Sequence, residues 1–135
     1  MIQELRELTS SIIESMFYLT EETQPLKENS NYKYAVSIKD TKVEIILMFC
    51  EKTAKVMAEN FLGTDDINEN DIIDTLKEAI NIITGNFVRV NMNDKSMKIN
   101  IPFTINTQTP IAFENYQFAF LFYKEETLKI LLKME

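Results

Sequence analysis

Four residues in the stretch 68–88 have the types and spacing to act together on one face of a helix. Asp74, Glu78, Asn81 and Gly85 stand at i, i+4, i+7 and i+11. At about 100° per residue they fall within an arc of about 60°. The chain contains no His, so any catalysis must use carboxylates, amides, hydroxyls or a metal held elsewhere. This face offers two carboxylates and an amide.

The polar face is poorly suited to helix stability. Asn costs roughly half a kcal/mol against Ala in a helix interior, and Gly costs about 1 kcal/mol. Gly85 is one of only two glycines in the chain, and it stands in the last turns on the polar side. Such departures tend to mark functional sites, because a glycine lets another backbone or chain come close. An ordinary solvated face, with Gly85 near a fraying helix end, would give the same pattern.

Several kinds of chemistry are excluded by composition. Without His there can be no His general base, no Ser-His or Cys-His nucleophile pair and no His-ligated zinc. Cys50 is the single cysteine, so no disulfide framework exists. Because Cys50 follows an apolar run, we expect it to pack as a small apolar residue.

Size and charge narrow the functional class further. We expect the chain to form one domain, residues 1–135, with a substantial core. A net charge of −7 argues against nucleic acid and against anionic membrane surfaces as partners. The apolar runs are too short to span a bilayer, and the first residues lack the order of a signal peptide. These features predict a cytoplasmic protein.

The elements that must position the polar face follow from hydrophobic periodicity. Apolar residues at three- and four-residue spacing predict helices over 3–19, 52–62 and 68–88. Asn68 is a plausible N-cap of the last of these, and Gly63 ends the helix before it. Alternation and β-branched content predict strands over 32–39, 43–50, 97–101, about 103–105, 116–123 and 127–134. A turn is expected over 91–95.

This order of elements predicts an α+β fold, with an antiparallel sheet and the helices packed on one face. The continuously apolar strand Val43–Cys50 is a candidate for the middle of the sheet. Leu128–Leu132 reads as a long apolar edge strand, which needs to be covered in solution. We therefore expect a homodimer, with residues 127–133 as part of its contact.

The polar face carries a motif that resembles the signature of the CheC/CheX/FliY chemotaxis phosphatases. Asp74-x-x-x-Glu78-x-x-Asn81 is followed by Ile-Ile-Thr-Gly-Asn86, and Pro102 takes the place of a downstream Pro in that pattern. The spacing to Pro102 is slightly shorter than usual. The order of elements matches across most of the chain, so the resemblance implies a CheX-like fold.

The resemblance implies a function and a set of roles. Family members hydrolyse the phosphoaspartate of response-regulator receiver domains such as CheY. Glu78 and Asn81 would be the catalytic residues, with Asn81 orienting the attacking water and Glu78 docking to a receiver Lys. Asp74, Gly85 and Pro102 would be supporting residues. The protein would have no cofactor of its own, and the Mg²⁺ would belong to the receiver.

Members of this family with two sites carry a second copy of the pattern on their first helix. Ser10-x-x-x-Glu14 fits its opening, but the Asn position is Phe17. A chain with one site and a C-terminal hairpin is similar to the CheX branch, whose members dimerise through their sheets.

The alternative function is that of a non-catalytic adaptor, which binds a receiver domain or a flagellar-switch component.

Overall fold

The computed structural model describes residues 1–92, 99–110 and 112–135. Its α-helices are α1 (Ile2–Phe17), α2 (Glu51–Leu62) and α3 (Glu69–Phe87). Its strands are β1 (Tyr32–Lys39), β2 (Val43–Cys50), β3 (Phe103–Ile105), β4 (Gln117–Tyr123) and β5 (Glu126–Met134). A π-helical turn, Val88–Met92, extends α3. The predicted helices, both N-terminal strands and the C-terminal hairpin are thus confirmed within two residues at each end.

The described strands form one antiparallel sheet in the order β3-β1-β2-β5-β4. β2 is central, as its continuous apolar sequence predicts, because a strand with neighbours on both sides is buried along its length. The three helices pack on one face of this sheet and share a single apolar core with it. The α+β fold class is therefore confirmed.

The apolar stripe of α3 anchors the helix in that core. Leu76, Ile80, Ile83 and Phe87 are each fully buried. Burying an aliphatic or aromatic side chain of this size contributes roughly 1.5–3 kcal/mol. Since the side chains of the stripe are fixed inward, the residues half a turn away are fixed outward. The core thus sets the rotation of α3 about its own axis.

The ends of α3 and α2 are defined by local signals. Asn68 Oδ1 accepts a hydrogen bond from the Asp71 backbone N–H at 2.9 Å, and Asp71 Oδ2 accepts one from the Asn68 N–H at 2.9 Å. This reciprocal pair is a capping box, which confirms Asn68 as the N-cap. Gly63 terminates α2 with a φ of +70°, a left-handed conformation that favours glycine.

The prediction that Leu128–Leu132 forms an edge strand is wrong. β5 is hydrogen bonded to β2 on one side and to β4 on the other. Leu128, Ile130 and Leu132 are buried in the core. Within residues 127–133, Lys129 is partly exposed, Lys133 is exposed, and the other residues are buried. Residues 127–133 therefore cannot provide an edge-to-edge dimer contact. An apolar strand is equally consistent with a buried inner position, which periodicity alone does not distinguish.

The prediction of a strand over 97–101 is wrong for its described part, and Met97 lies outside the described residues. Ile99–Ile101 has no strand conformation, and β3 begins only after Pro102, where a short strand was expected. Instead, the Asn100 side chain binds the backbone at the end of β1. Of the expected turn over 91–95, Asn91 and Met92 belong to the π-helical turn, and the other three residues lie outside the described part.

Candidate functional site

The three polar side chains of the motif project from α3 into solvent. Asp74, Glu78 and Asn81 are all exposed, on the side of the helix away from its buried stripe. Glu78 and Asn81 are three residues apart, so their side chains lie next to each other on adjacent turns. The capping box fixes where the helix starts, and the buried stripe fixes its rotation. Together they determine where these side chains point.

The motif residues form one side of a groove, and a distant segment forms the other. The groove has a volume of about 300 Å³ and is open to solvent. Its lining residues on α3 are Asp74, Lys77, Glu78 and Asn81, and those on the facing segment are Ile99, Asn100, Ile101 and Pro102. The structure therefore brings Pro102 to the same groove as Glu78 and Asn81, although more than 20 residues separate them in sequence.

Two contacts hold the segment 99–102 against the rest of the domain. Asn100 Nδ2 donates a hydrogen bond to the Lys39 carbonyl oxygen at 2.6 Å. The Ile99 Cδ1 atom lies 3.6 Å from where a Cβ would stand at Gly85. Gly85 does not line the groove itself, and in the described part of the chain its close neighbour is Ile99. The glycine thus admits a segment of its own chain beside the polar face.

The side chains of the motif make no hydrogen bond or ion pair with another described residue. This holds for Asp74, Glu78 and Asn81, whereas Glu69 and Asp71 at the start of α3 each accept a hydrogen bond. Elsewhere, exposed charges such as Lys33 and Glu51 pair with each other at 3.2 Å. The carboxylate of Glu78 and the amide of Asn81 are therefore available to an incoming molecule. The amide can both donate to and accept from a water molecule.

Two of the three corresponding positions on α1, Ser10 and Phe17, are engaged within the domain, and Glu14 is exposed. Ser10 Oγ donates a hydrogen bond to Glu21 Oε2 at 3.0 Å, and Glu21 also pairs with Arg6. Phe17, at the position of the motif Asn, is fully buried in the core. Arg6 in turn donates from Nε to the Phe120 carbonyl oxygen at 3.0 Å. Arg6 and Ser10 thus link α1 both to Glu21, in the segment after the helix, and to β4. With Phe17 at the position of the motif Asn, α1 presents no exposed amide there.

The described residues offer neither a ready metal site nor a membrane-spanning helix. No group of three or more His, Cys, Asp or Glu side chains in this part of the chain is placed to hold a metal ion. None of the described helices is long and apolar enough to cross a membrane.

Sequence reasoning found the α3 side of the groove but missed most of the facing side. Lys77, Ile99, Asn100 and Ile101 line the groove and were not singled out as site residues. The expected strand over 97–101 would have placed Ile99, Asn100 and Ile101 within the sheet, whereas Lys77 lies on α3. The one signal that could have located the facing segment was Pro102, because proline ends a ladder of strand hydrogen bonds.

Comparison with known proteins shows the family of the chain. The protein-family model described as "Chemotaxis phosphatase CheX" matches residues 36–123, well over half of the chain. The match spans the whole of α3 and the facing segment. No curated protein matches the chain by sequence.

Solved structures share the fold at low sequence identity. The chemotaxis protein CheX from Vibrio vulnificus has a TM-score of 0.74 and 13% identity, covering 99% of this chain and 95% of that one. The CheX protein from Desulfovibrio desulfuricans has a TM-score of 0.68 and 19% identity, with 98% and 97% covered. A CheX-CheY-BeF3-Mg complex from Borrelia burgdorferi has a TM-score of 0.62 and 18% identity, with 99% and 97% covered. With the family model matched across most of the domain and these folds alike over nearly their full length, the chain belongs to the CheX family of chemotaxis phosphatases.

Proposed function

We propose that this protein hydrolyses the phosphoaspartate of a CheY-like receiver domain. The observation that carries the proposal is the open groove in which Glu78, Asn81 and Pro102 meet, in a chain of the CheX family. The Borrelia burgdorferi structure, in which CheX is in complex with CheY, BeF3 and Mg²⁺, supports a receiver as the partner. The proposal thus assigns the family's reaction to named side chains of this protein.

The proposed chemistry is hydrolysis of an acyl phosphate with Asn81 as the catalytic residue. The oxygen of a water molecule forms a bond to phosphorus while the bond from phosphorus to the Asp oxygen breaks. The products are inorganic phosphate and a free carboxylate, and the water's protons pass to phosphate and solvent. An acyl phosphate is already activated, so holding water in line with the breaking bond is most of the task. The exposed amide of Asn81 has no described hydrogen-bond partner and is free to hold that water.

Glu78 has the role of docking to the receiver in this proposal. Its carboxylate lies beside Asn81 and can pair with a Lys at the receiver's active site. Asp74, one turn earlier on the same groove, adds negative charge that favours a cationic group there. The protein supplies no cofactor of its own in this proposal, and the Mg²⁺ that offsets phosphate charge belongs to the receiver.

Supporting roles fall to the residues that build the facing side of the groove. Pro102 has a fixed φ and lines the groove, so it holds the chain's direction where the segment turns into β3. Gly85 leaves room for Ile99, which packs 3.6 Å from the missing Cβ. These residues shape the groove and touch no reacting atom.

The test is the lifetime of a phosphorylated receiver in the presence of this protein. CheY-like receivers from the same organism are phosphorylated, and phosphate release is followed with and without the protein. We expect acceleration by the wild type, near-complete loss in Asn81→Ala, and full activity in Asn70→Ala, an exposed Asn of α3 outside the groove. An active Asn81→Ala protein would refute the mechanism. Tight receiver binding without turnover would support the adaptor instead.

We also propose that the protein forms a homodimer. Since β5 is an inner strand, the proposed contact is at β4. β4 is an edge strand, and its outer edge is covered at Phe120 and Phe122 by hydrogen bonds from Arg6 and Glu22. At Phe118 no described residue hydrogen bonds to that edge, and the side chain is 58% exposed. An open edge beside an exposed aromatic side chain favours pairing with a second copy.

Light scattering at micromolar concentration tests this assembly. We expect the mass of a dimer, and of a monomer in Phe118→Asp. Phe103→Asp is the matched control, since Phe103 is an exposed aromatic residue on the opposite edge strand. A monomeric wild type would contradict the homodimer, and a dimer that survives Phe118→Asp would contradict the β4 contact.

A further inference from the structure

We propose that Ile101 is an apolar docking residue for the receiver domain, one that determines affinity and not the rate of the chemical step. This inference rests on the proposed function, because it assigns a role beside the same groove. Ile101 lines the groove together with Glu78 and Asn81. It belongs to the facing segment, which the motif of α3 does not include.

Ile101 is the most exposed apolar side chain of the groove. Its side chain is 86% exposed, whereas Ile99 and Pro102 on the same segment are partly buried. Single exposed apolar residues are common on protein surfaces and need no explanation by themselves. At the rim of a groove that must receive a partner, however, such a side chain is covered whenever the partner reaches the groove floor. Since Glu78, Asn81 and Ile101 line the same groove, the inference is that a receiver docked on the first two also covers the third.

The backbone on both sides of Ile101 is also held in place before binding. Asn100, the residue before it, donates to the Lys39 carbonyl oxygen at 2.6 Å, and Pro102, the residue after it, has a fixed φ. One residue further back, Ile99 packs 3.6 Å from the Cβ position of Gly85. A β-branched side chain has few rotamers of its own. Little conformational entropy is then lost when a partner covers Ile101, which is the condition for an effective anchor.

The chemistry of the side chain separates its role from that of the motif. Isoleucine can neither orient water nor pair with a cation, so it cannot act on the phosphoryl group. Its contribution is burial of apolar surface, which is gained equally in the ground-state complex and in the transition state. Such uniform binding lowers KM and leaves kcat unchanged. The surface it fits is an apolar patch of the receiver next to the phosphorylated carboxylate.

The experiment compares Ile101→Ser with the wild type in receiver dephosphorylation. Losing one buried isoleucine contact is expected to raise KM about tenfold, with kcat within about twofold. Ile101→Val keeps the branched side chain and should restore most of the affinity. Leu26→Ser is the matched control, since Leu26 is fully exposed in the connection between α1 and β1 and does not line the groove.

The outcomes distinguish this inference from the proposed function. If the wild type is active and Ile101→Ser has an unchanged KM, the inference is overturned and the function stands. A fall in kcat at unchanged KM also overturns it. If the wild type binds the receiver without turnover, the Kd replaces KM as the measurement, and the same tenfold weakening is expected. A wild type that neither binds nor dephosphorylates any receiver overturns both.

Discussion

The two glycines of the chain should respond to alanine in opposite directions. Gly85 lies in α3 with an ordinary helical conformation, and a Cβ there would meet Ile99 Cδ1 at 3.6 Å, an ordinary van der Waals distance. Gly63 ends α2 at φ +70°, with nothing within 4 Å of a Cβ position. Space is therefore available at both positions, so the backbone conformation decides whether alanine stabilises or destabilises the domain.

The magnitudes follow from helix propensity and backbone strain. Alanine is favoured over glycine inside a helix by roughly 0.5–1 kcal/mol, so Gly85→Ala should stabilise the domain by that amount. For a domain of this size, 1 kcal/mol corresponds to a rise in Tm of roughly 3–4 °C. Gly63→Ala must hold a Cβ in the left-handed region, which should cost about 1 kcal/mol. The two variants should thus differ by roughly 2 kcal/mol, because the two effects have opposite sign.

Urea unfolding at constant pH measures both free energies, with the slope m showing that the unfolding transition itself is unchanged. A destabilised Gly85→Ala protein would mean that Ile99 Cδ1 lies closer than 3.6 Å to the Cβ position of residue 85, and the description of the facing segment would have to change. A neutral Gly63→Ala protein would refute the left-handed end of α2.

Three other predictions concern the site, the α2 cap and the cysteine. Glu78→Gln should weaken receiver binding by about 2–5 kcal/mol if the charge pair is desolvated in the complex, and equal Kd values would remove Glu78 from the contact. Glu126→Ala should destabilise the domain by roughly 2–4 kcal/mol, since this buried carboxylate accepts bonds from the Thr53 N–H and hydroxyl, both at 2.7 Å. Glu51→Ala is the control at an exposed residue of α2, and it should lower the free energy of unfolding by less than about 1 kcal/mol in the same urea titration. Equal losses in the two variants would refute the capping role of Glu126. Burial raises the pKa of the Cys50 thiol to about 11, so at pH 8 it should react with a thiol reagent only after unfolding; rapid labelling of the folded protein would contradict its burial.

Local signals in the sequence were enough to define α3 and the face it presents. The apolar stripe, the N-cap at Asn68 and the spacing of Asp74, Glu78 and Asn81 all act within a few residues of one another. A helix repeats every 3.6 residues, so a correct start and a correct stripe leave only one orientation for the polar row. The hairpin of β4 and β5 and the pairing of β1 with β2 were predictable for the same reason, because each joins neighbouring segments.

The tertiary structure decided what depends on residues far apart in sequence. α2 begins without a side-chain cap from its own N-cap residue, and its Thr53 N–H is instead bound by Glu126, 73 positions later. β5 lies between β2 and β4 because the core takes its apolar face, a choice that alternation within the strand cannot reveal.

The groove itself is the clearest case of this division. The sequence determined one side of it, the polar row of α3, because periodicity fixes a face. The other side exists because Asn100 binds the Lys39 carbonyl oxygen, 61 positions earlier, and because Gly85 admits Ile99. Neither contact has a local signature, since each depends on two segments that meet only when the chain is folded. That is why Ile101 and Pro102 come to lie opposite Glu78 and Asn81, and why only the folded chain could place them there.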